Sequence, residues 1–371
     1  MESTIIERIK EGKFTLIAEI GVNYYDIAAS RGISPMEAAK LMIKEAKDAG
    51  IHAVKFQTYK AETIAAKDSP SYWDLSEEAT TSQYELFKKF DSFGEAEYRE
   101  LKAYSDEIGI EFLSTAFDKE SADYLFELMN VYKISSSDLS NIPFIEYQAK
   151  KGKPVILSVG ASDLYEIERA VDTIRSVNDR ELALLHCVLE YPTPLEHANL
   201  LKIATLKQQF PECVIGYSDH TKPTEDIDVI KTAYNLGAVL IEKHFTLDKT
   251  LKGNDHYHAM DPEDAKKILK AIERLDMLRG NGDLVSLESE ASARENARRS
   301  LVSDTDIKAG DEITEEMLTF LRPASGISPS DIALVLGHRA VCDIKKGEIL
   351  KPEMIEKFGE AEAEKEEQDG E

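Results

Sequence analysis

The chain has 371 residues, 42% of them hydrophobic, and a formal net charge of −25. That length accommodates one large core and a second, small one. The charge repels nucleic acid and anionic membranes, so neither is an expected partner.

No apolar run is long enough to span a bilayer, and the opening Met1-Glu-Ser-Thr-Ile-Ile-Glu does not read as a signal peptide, so none is expected. Cys187, Cys213 and Cys342 have neither disulfide-framework nor zinc-knuckle spacing. A reducing, cytoplasmic setting is therefore expected.

Residues 1–12 read as a short helical lead-in. Phe14-Thr-Leu-Ile-Ala-Glu-Ile-Gly21 is a first strand with a carboxylate, Glu19, inside its apolar run. Asn23-Tyr24-Tyr25-Asp26 reads as a loop. Ser34 to Gly50 is a helix: Ser34 caps it, Pro35 takes the first position, Glu37 completes a capping box and Gly50 ends it. Strand two, Ile51–Thr58, carries Lys55. An insertion from Tyr59 to Phe93, holding the only tryptophan, Trp73, has the place of a lid or specificity loop. Glu95–Ile108 is a helix. Strand three is Ile110–Phe117, strand four Val131–Asp138 with Lys133 inside, and strand five Pro154–Gly160. Strand six, Leu182–Val188, runs into Tyr191-Pro-Thr-Pro194. Strand seven ends Tyr217-Ser-Asp-His220, and strand eight is Val239-Leu-Ile-Glu-Lys-His244-Phe-Thr. Helical patterns lie between most of them, as at Ala122–Met129 and Asp163–Val177.

Eight strands alternating with helices predict an α/β fold, a (β/α)8 TIM barrel over residues 1–282. An open doubly wound sheet is the alternative, weakened because no Gly-x-Gly-x-x-Gly or P-loop follows the first strand. Residues 283–297 read as a linker. Residues 298–358 read as a small β-rich domain in which Asp-Ile-Lys-x-Gly-x-Glu-Ile at 306–313 recurs, one residue shorter, at 343–349. The acidic residues 359–371 read as a disordered tail.

Barrel active sites lie at the C-terminal strand ends. Those ends gather Glu19, Lys55, Thr115, Lys133, Ser136, Asp138, Ser158, Tyr191, Ser218, His220 and His244. Either lysine alone could be paired with Glu19 or Asp138. Both together, among Thr115, Ser136, Ser158 and Ser218 hydroxyls, suit an anion bearing phosphate and carboxylate. A Schiff-base lysine is the competing reading. A lone histidine at a strand end is more often only hydrogen-bonded, but His220 and His244 at one depth of consecutive strands can hold a divalent metal.

Ala18-Glu-Ile-Gly-Val-Asn23, Val54-Lys-Phe-Gln57, Lys133-Ile-Ser-Ser, Leu185-His-Cys, Tyr191-Pro-Thr-Pro, Gly216-Tyr-Ser-Asp-His220 and Ile241-Glu-Lys-His-Phe-Thr246 together resemble the sialic acid synthase family. This family includes N-acetylneuraminate and legionaminic acid synthases. The small domain resembles its SAF (antifreeze-like) domain. The resemblance covers about residues 14–357 and implies a transferase forming a C–C bond. Phosphoenolpyruvate would condense with an N-acylated amino-sugar aldehyde and water, giving a nine-carbon 2-keto acid and phosphate. It implies His220 and His244 as metal ligands, usually for Mn²⁺, with Mg²⁺ and Co²⁺ as alternatives. Lys55, Lys133, Thr115, Ser136, Ser158 and Ser218 would contact phosphoenolpyruvate. Glu19, Tyr191 and Asp255 would lie near the sugar or the reacting carbons, and Asp138 stands where the family often has Glu. Arg322 matches a sugar-contacting arginine of a domain-swapped homodimer.

The usual Asn-His after the first strand is Asn23-Tyr24 here, followed by an expected extra loop from Tyr25 to Gly32. This departure and Asp138 bear on sugar identity, and the sequence looks closer to the legionaminic branch, whose acceptor is 2,4-diacetamido-2,4,6-trideoxymannose, than to the N-acetylmannosamine enzymes. The rival functions are a Schiff-base TIM-barrel aldolase and a non-enzymatic carbohydrate-binding SAF protein.

Overall fold

A computed structural model describes residues 3–253 and 255–358; the tail expected at 359–371 lies outside them. The chain divides into two compact units, Met1–Gly280 and Asn281–Glu371.

In the first unit eight parallel strands close into a barrel in sequence order. They are β1 (Thr15–Gly21), β2 (Ala53–Thr58), β3 (Glu111–Ala116), β4 (Tyr132–Ile134), β5 (Val155–Ser158), β6 (Leu182–Cys187), β7 (Val214–Asp219) and β8 (Leu240–His244). Strand side chains alternate between the two faces of a sheet. One alternate set packs inside the barrel: Ile17, Ala53, Leu113, Val131, Ile156 and Leu240 share a core with Ile5, Ile6 and Ile9 of the helix Thr4–Lys10. That helix plugs the barrel floor. The other set, including Leu16, Val54 and Phe112, packs under the surrounding helices. One alternation step beyond the apolar floor, the inward positions become Glu19, Lys55, Thr115, Lys133, Ser158, Ser218 and Glu242. The fold therefore has an apolar base and a charged mouth, both set by a period of two.

The helix Pro35–Asp48 carries the capping box read from its sequence: Ser34 Oγ accepts from the Glu37 amide at 3.2 Å, and Glu37 Oε2 accepts from the Ser34 amide at 2.8 Å. Residues 24–31, expected as a loop, form a helix, Tyr24–Arg31, closed by Gly32 at φ 64°. The physical reason is aromatic packing: the Tyr24 ring is fully buried, 4.9 Å from Phe93 and 5.9 Å from Phe56 between centroids. Strand four is shorter than expected. Past Ile134 the serines take over, Ser135 Oγ accepting from the Ser137 amide at 3.3 Å and opening the 3-10 turn Ser136–Asp138. The insertion after β2 is ordered by the helices Ala61–Ile64 and Gln83–Lys89, with the Trp73 indole donating to the Glu78 and Thr80 carbonyls at 3.1 Å each. Among the described residues no helix is long and apolar enough to cross a membrane.

The second unit holds the helix Ala291–Ala297, within the stretch expected as linker, and an antiparallel pair, β9 (Ser300–Ser303) and β10 (Leu318–Leu321). Its core includes Leu301, Ile307, Ile313, Val335, Ile344 and Leu350. The two Asp-Ile-Lys repeats, expected as β segments, meet through a single antiparallel bridge. Ile307 and Ile344 exchange both backbone hydrogen bonds at 2.8 Å. Asp306 accepts from the Lys346 amide and Asp343 from the Ala309 amide, each at 2.9 Å, so each aspartate closes the other repeat's turn.

Gly216 faces inward on β7, paired with Leu240 of β8. A Cβ there would lie 2.4 Å from the Leu240 carbonyl oxygen. Backbone cannot yield as a flexible side chain does, so Gly216→Ala should destabilise the barrel by about 3 kcal/mol, read as a lower urea midpoint.

Candidate active site

Strand register builds the site. Glu19 on β1 sits opposite Lys55 of β2 on one side and His244 of β8 on the other. Ser218 on β7 sits opposite Glu242 of β8, and Thr115 of β3 opposite Lys133 of β4. The result is a buried charge lattice. Lys55 Nζ contacts Glu19 Oε2 and lies 3.7 Å from Glu242 Oε1; Lys133 Nζ lies 3.8 Å from the same Glu242 oxygen. Ser218 Oγ donates to it at 3.2 Å, and Gln57 Nε2 donates to Glu19 at 3.0 Å.

Each of these charges is perturbed by its surroundings. Burial pushes the Glu19 carboxyl up to about 7, with Lys55 partly offsetting it and Glu242 adding to it. Burial also works against Glu242, but Lys133 and Lys55 outweigh it and hold that pKa below the usual carboxylate range. For Lys55 burial is outweighed by Glu19 and then Glu242, and its pKa lies above the ordinary lysine value. For Lys133 burial wins and the pKa falls. Two lysines thus face one glutamate held ionised and one whose proton burial helps retain, and with the hydroxyls around them this setting suits an anion.

These groups line a cavity of about 390 Å³ with Thr115, Ser136, Ser158, Tyr191, Ser218, His220 and His244. The Ser158 hydroxyl is buried with no hydrogen-bond partner among the described residues, and so is one Glu242 oxygen. Both can serve a ligand. A second cavity of about 600 Å³ adjoins it, sharing Gln57, Tyr191 and His244 and adding Asn23, Tyr59, Tyr72, Phe87, Phe90 and Asp255. Among the described residues no lysine or arginine lines it.

Three sequence-selected residues fall outside the first cavity. Asp255 lines the second. Asp138 lies on the 3-10 turn after β4, accepts from Asn141 Nδ2 at 3.2 Å and lines an outer recess, because the early end of β4 carries it away from the lattice. Arg322 is exposed and belongs to the second unit. Tyr24, singled out as a departure at the site, packs in the aromatic layer outside the barrel; its neighbour Asn23 lines the second cavity and donates to the Phe245 carbonyl at 3.0 Å. Sequence reasoning missed Glu242. The signal was available: if His244 faces the mouth, the residue two earlier does too. The intervening Lys243 faces the other way and pairs with Asp219 at 2.6 Å.

The histidines suit a divalent metal. Burial lowers the pKa of His220 to about 4 and that of His244 well below the ordinary value, so both rings are neutral, the form that ligates. His220 Nδ1 donates to the Val188 carbonyl at 2.8 Å, which leaves the Nε2 lone pair free. His244 Nδ1 is buried without a partner among the described residues. The two ring centroids are 5.4 Å apart.

The NeuB family model matches residues 42–284, and the SAF domain model residues 298–356. The N,N'-diacetyllegionaminic acid synthase of Legionella pneumophila is 37% identical over 349 residues, covering 92% of this chain and 94% of that protein. The protein of the same name from Campylobacter jejuni is 36% identical over 344 residues, covering 91% and 99%. Among solved structures, an N-acetylneuraminic acid (sialic acid) synthetase from Leptospira borgpetersenii is similar with a TM-score of 0.65 at 35% identity, covering 76% of this chain and 90% of that one.

Because Glu19 loses its proton through about pH 7, an anion in the first cavity should be held more weakly above that pH. Sulfate is a suitable probe, since its own charge is fixed over this range. Titration calorimetry from pH 6 to 8.5 should show its affinity falling by about tenfold. In Glu19→Gln the affinity should stay flat.

Proposed function

The chain belongs to the NeuB family, and from that premise we propose that it condenses phosphoenolpyruvate with 2,4-diacetamido-2,4,6-trideoxymannose and water, yielding a nine-carbon 2-keto acid and phosphate. The observation that carries this reading is the meeting of two unlike cavities at Gln57, Tyr191 and His244. One is charged and rich in hydroxyls; the other is aromatic and free of lysine and arginine among the described residues. The first suits phosphoenolpyruvate. The second suits an uncharged deoxy sugar with apolar acetamido methyls better than a sugar phosphate. The names of the Legionella and Campylobacter relatives point to the same acceptor class.

In this reading Lys55, Lys133, Thr115, Ser136, Ser158 and Ser218 hold the phosphate and carboxylate of phosphoenolpyruvate. Tyr191 and Asp255 hold the sugar with its aldehyde carbon towards C3 of phosphoenolpyruvate. His220 and His244 would hold a divalent metal, Mn²⁺ first, with Mg²⁺ and Co²⁺ as alternatives, which would supply Lewis acidity for the aldehyde. The new bond joins C3 to the aldehyde carbon as the C2–C3 double bond opens, and the aldehyde oxygen takes up a proton to become a hydroxyl. Water adds at C2, and phosphate departs with its bridging oxygen. Glu19 takes the proton of that water in this reading, and its pKa, pushed up to about 7 by burial, supports the role. Asp138, on the turn after β4, stands further out. Arg322 contacts the sugar within a domain-swapped homodimer in the same reading.

The lowered pKa of Lys133 favours a second reading, a Schiff-base aldolase. Borohydride trapping in the presence of a keto substrate would label Lys133 in that case and leave a synthase unlabelled.

Phosphate release should occur with the diacetamido sugar and exceed that with N-acetylmannosamine or its 6-phosphate. EDTA should abolish it, and His220→Ala should lower it by about 10³-fold. Silence across all three sugars in metal-loaded protein would sink the proposal. Arg322→Ala should raise the sugar KM about tenfold while sparing that of phosphoenolpyruvate; sedimentation at assay concentration checks the dimer.

A further inference from the structure

The loop that follows β8 brings a third imidazole to the mouth. Its backbone is pinned beside the strand: the Met260 amide donates to the His244 carbonyl at 2.8 Å, and the Thr246 amide to the Met260 carbonyl at 3.0 Å. On the other side the Tyr257 hydroxyl donates to the Tyr191 carbonyl at 2.8 Å. Between these anchors His258 is delivered against His244, with ring centroids 5.0 Å apart, and 6.1 Å from His220. One ligand atom from each of His244, Asp255 and His258 lies within 4.8 Å of the others.

His258 is fully buried, and neither of its ring nitrogens has a hydrogen-bond partner among the described residues. A neutral imidazole always carries one N–H and one lone pair, so leaving both unmatched in the interior is costly. The neighbouring His256, equally buried, shows the usual solution: Nδ1 bonds Thr246 Oγ1 at 2.8 Å and Nε2 bonds Asp26 Oδ2 at 3.1 Å. His258 lacks any such partner, but its ring lies against that of His244, whose Nδ1 is also unmatched and lies 3.7 Å from the Asp255 carboxylate.

We propose that His258 is a third imidazole ligand of the divalent metal, added from the loop to the strand-end pair His220 and His244, with the Asp255 carboxylate beside it. This rests on the metal-dependent reading given above. Such a nitrogen-rich set with a neighbouring carboxylate favours a borderline transition metal over Mg²⁺.

The test uses the full chain loaded with Co²⁺, whose visible absorption reports the ligand set, and with Mn²⁺, whose bound fraction is read by electron paramagnetic resonance. His258→Gln and His258→Ala should weaken Mn²⁺ binding on the order of 100-fold and shift the Co²⁺ bands. Their melting temperatures in EDTA should match that of the unsubstituted chain, while the rise on adding metal should be lost. If His244→Ala abolishes binding and both His258 variants keep the original affinity and spectrum, His258 is only a packing residue and the inference is overturned, with the metal reading intact. If the unsubstituted chain binds neither ion, the metal reading itself fails. If neither variant folds, nitrogen hyperfine spectra of the Mn²⁺-loaded unsubstituted chain decide. Three coordinated imidazoles support the proposal, and two overturn it.

Discussion

Lys55, Lys133, Glu19 and Glu242 form a lattice of buried ionisable groups drawn from four strands, β1, β2, β4 and β8. Removing one partner of such a pair strands a charge in low dielectric and typically costs about 3–5 kcal/mol. The lattice therefore ties barrel closure to site chemistry. Glu19 meets Lys55 across β1 and β2 and neighbours His244 across β1 and β8 only when the register is correct. A one-residue slip would turn each of these side chains towards the helices. The apolar floor supplies the hydrophobic drive, and the mouth fixes which alignment of the strands is used.

What the sequence made legible follows from that periodicity. Every barrel strand was visible as a short apolar run, and the polar residues at the run ends mark the mouth. Lys55, Lys133, His220 and His244 could be placed because a charge or imidazole within such a run is conspicuous. Glu242 was overlooked because Glu242-Lys243-His244 reads as one polar cluster until alternation separates its two faces. His258 and the helix Tyr24–Arg31 were not legible for a different reason. Their positions come from tertiary contacts, the Met260 backbone bonds to His244 and Thr246 in one case and the burial of Tyr24 against Phe56 and Phe93 in the other. Asp138 illustrates the reverse error. Counted along an extended strand it belongs at the mouth, but the serine-led turn after Ile134 carries it outward.

The two cavities place opposite demands on neighbouring space. The inner one needs buried charge held in check until an anion arrives, and Glu19 and Glu242 provide this. The outer one is lined by the Tyr59, Tyr72, Phe87 and Phe90 rings, with Asn23 and Asp255 as polar points. Tyr191 and His244 border both and so stand where two ligands would touch. The Tyr191 ring packs 4.2 Å from His220 and 6.2 Å from His244, so movement of this tyrosine would be felt by both imidazoles.

The reciprocal turns of the second unit have a consequence for how that unit is put together. Because Asp306 serves the turn of the later repeat and Asp343 that of the earlier one, neither half can complete its own hydrogen bonding. The two repeats are interlocked through these bonds and the Ile307–Ile344 bridge, so an altered turn in either one reaches the other.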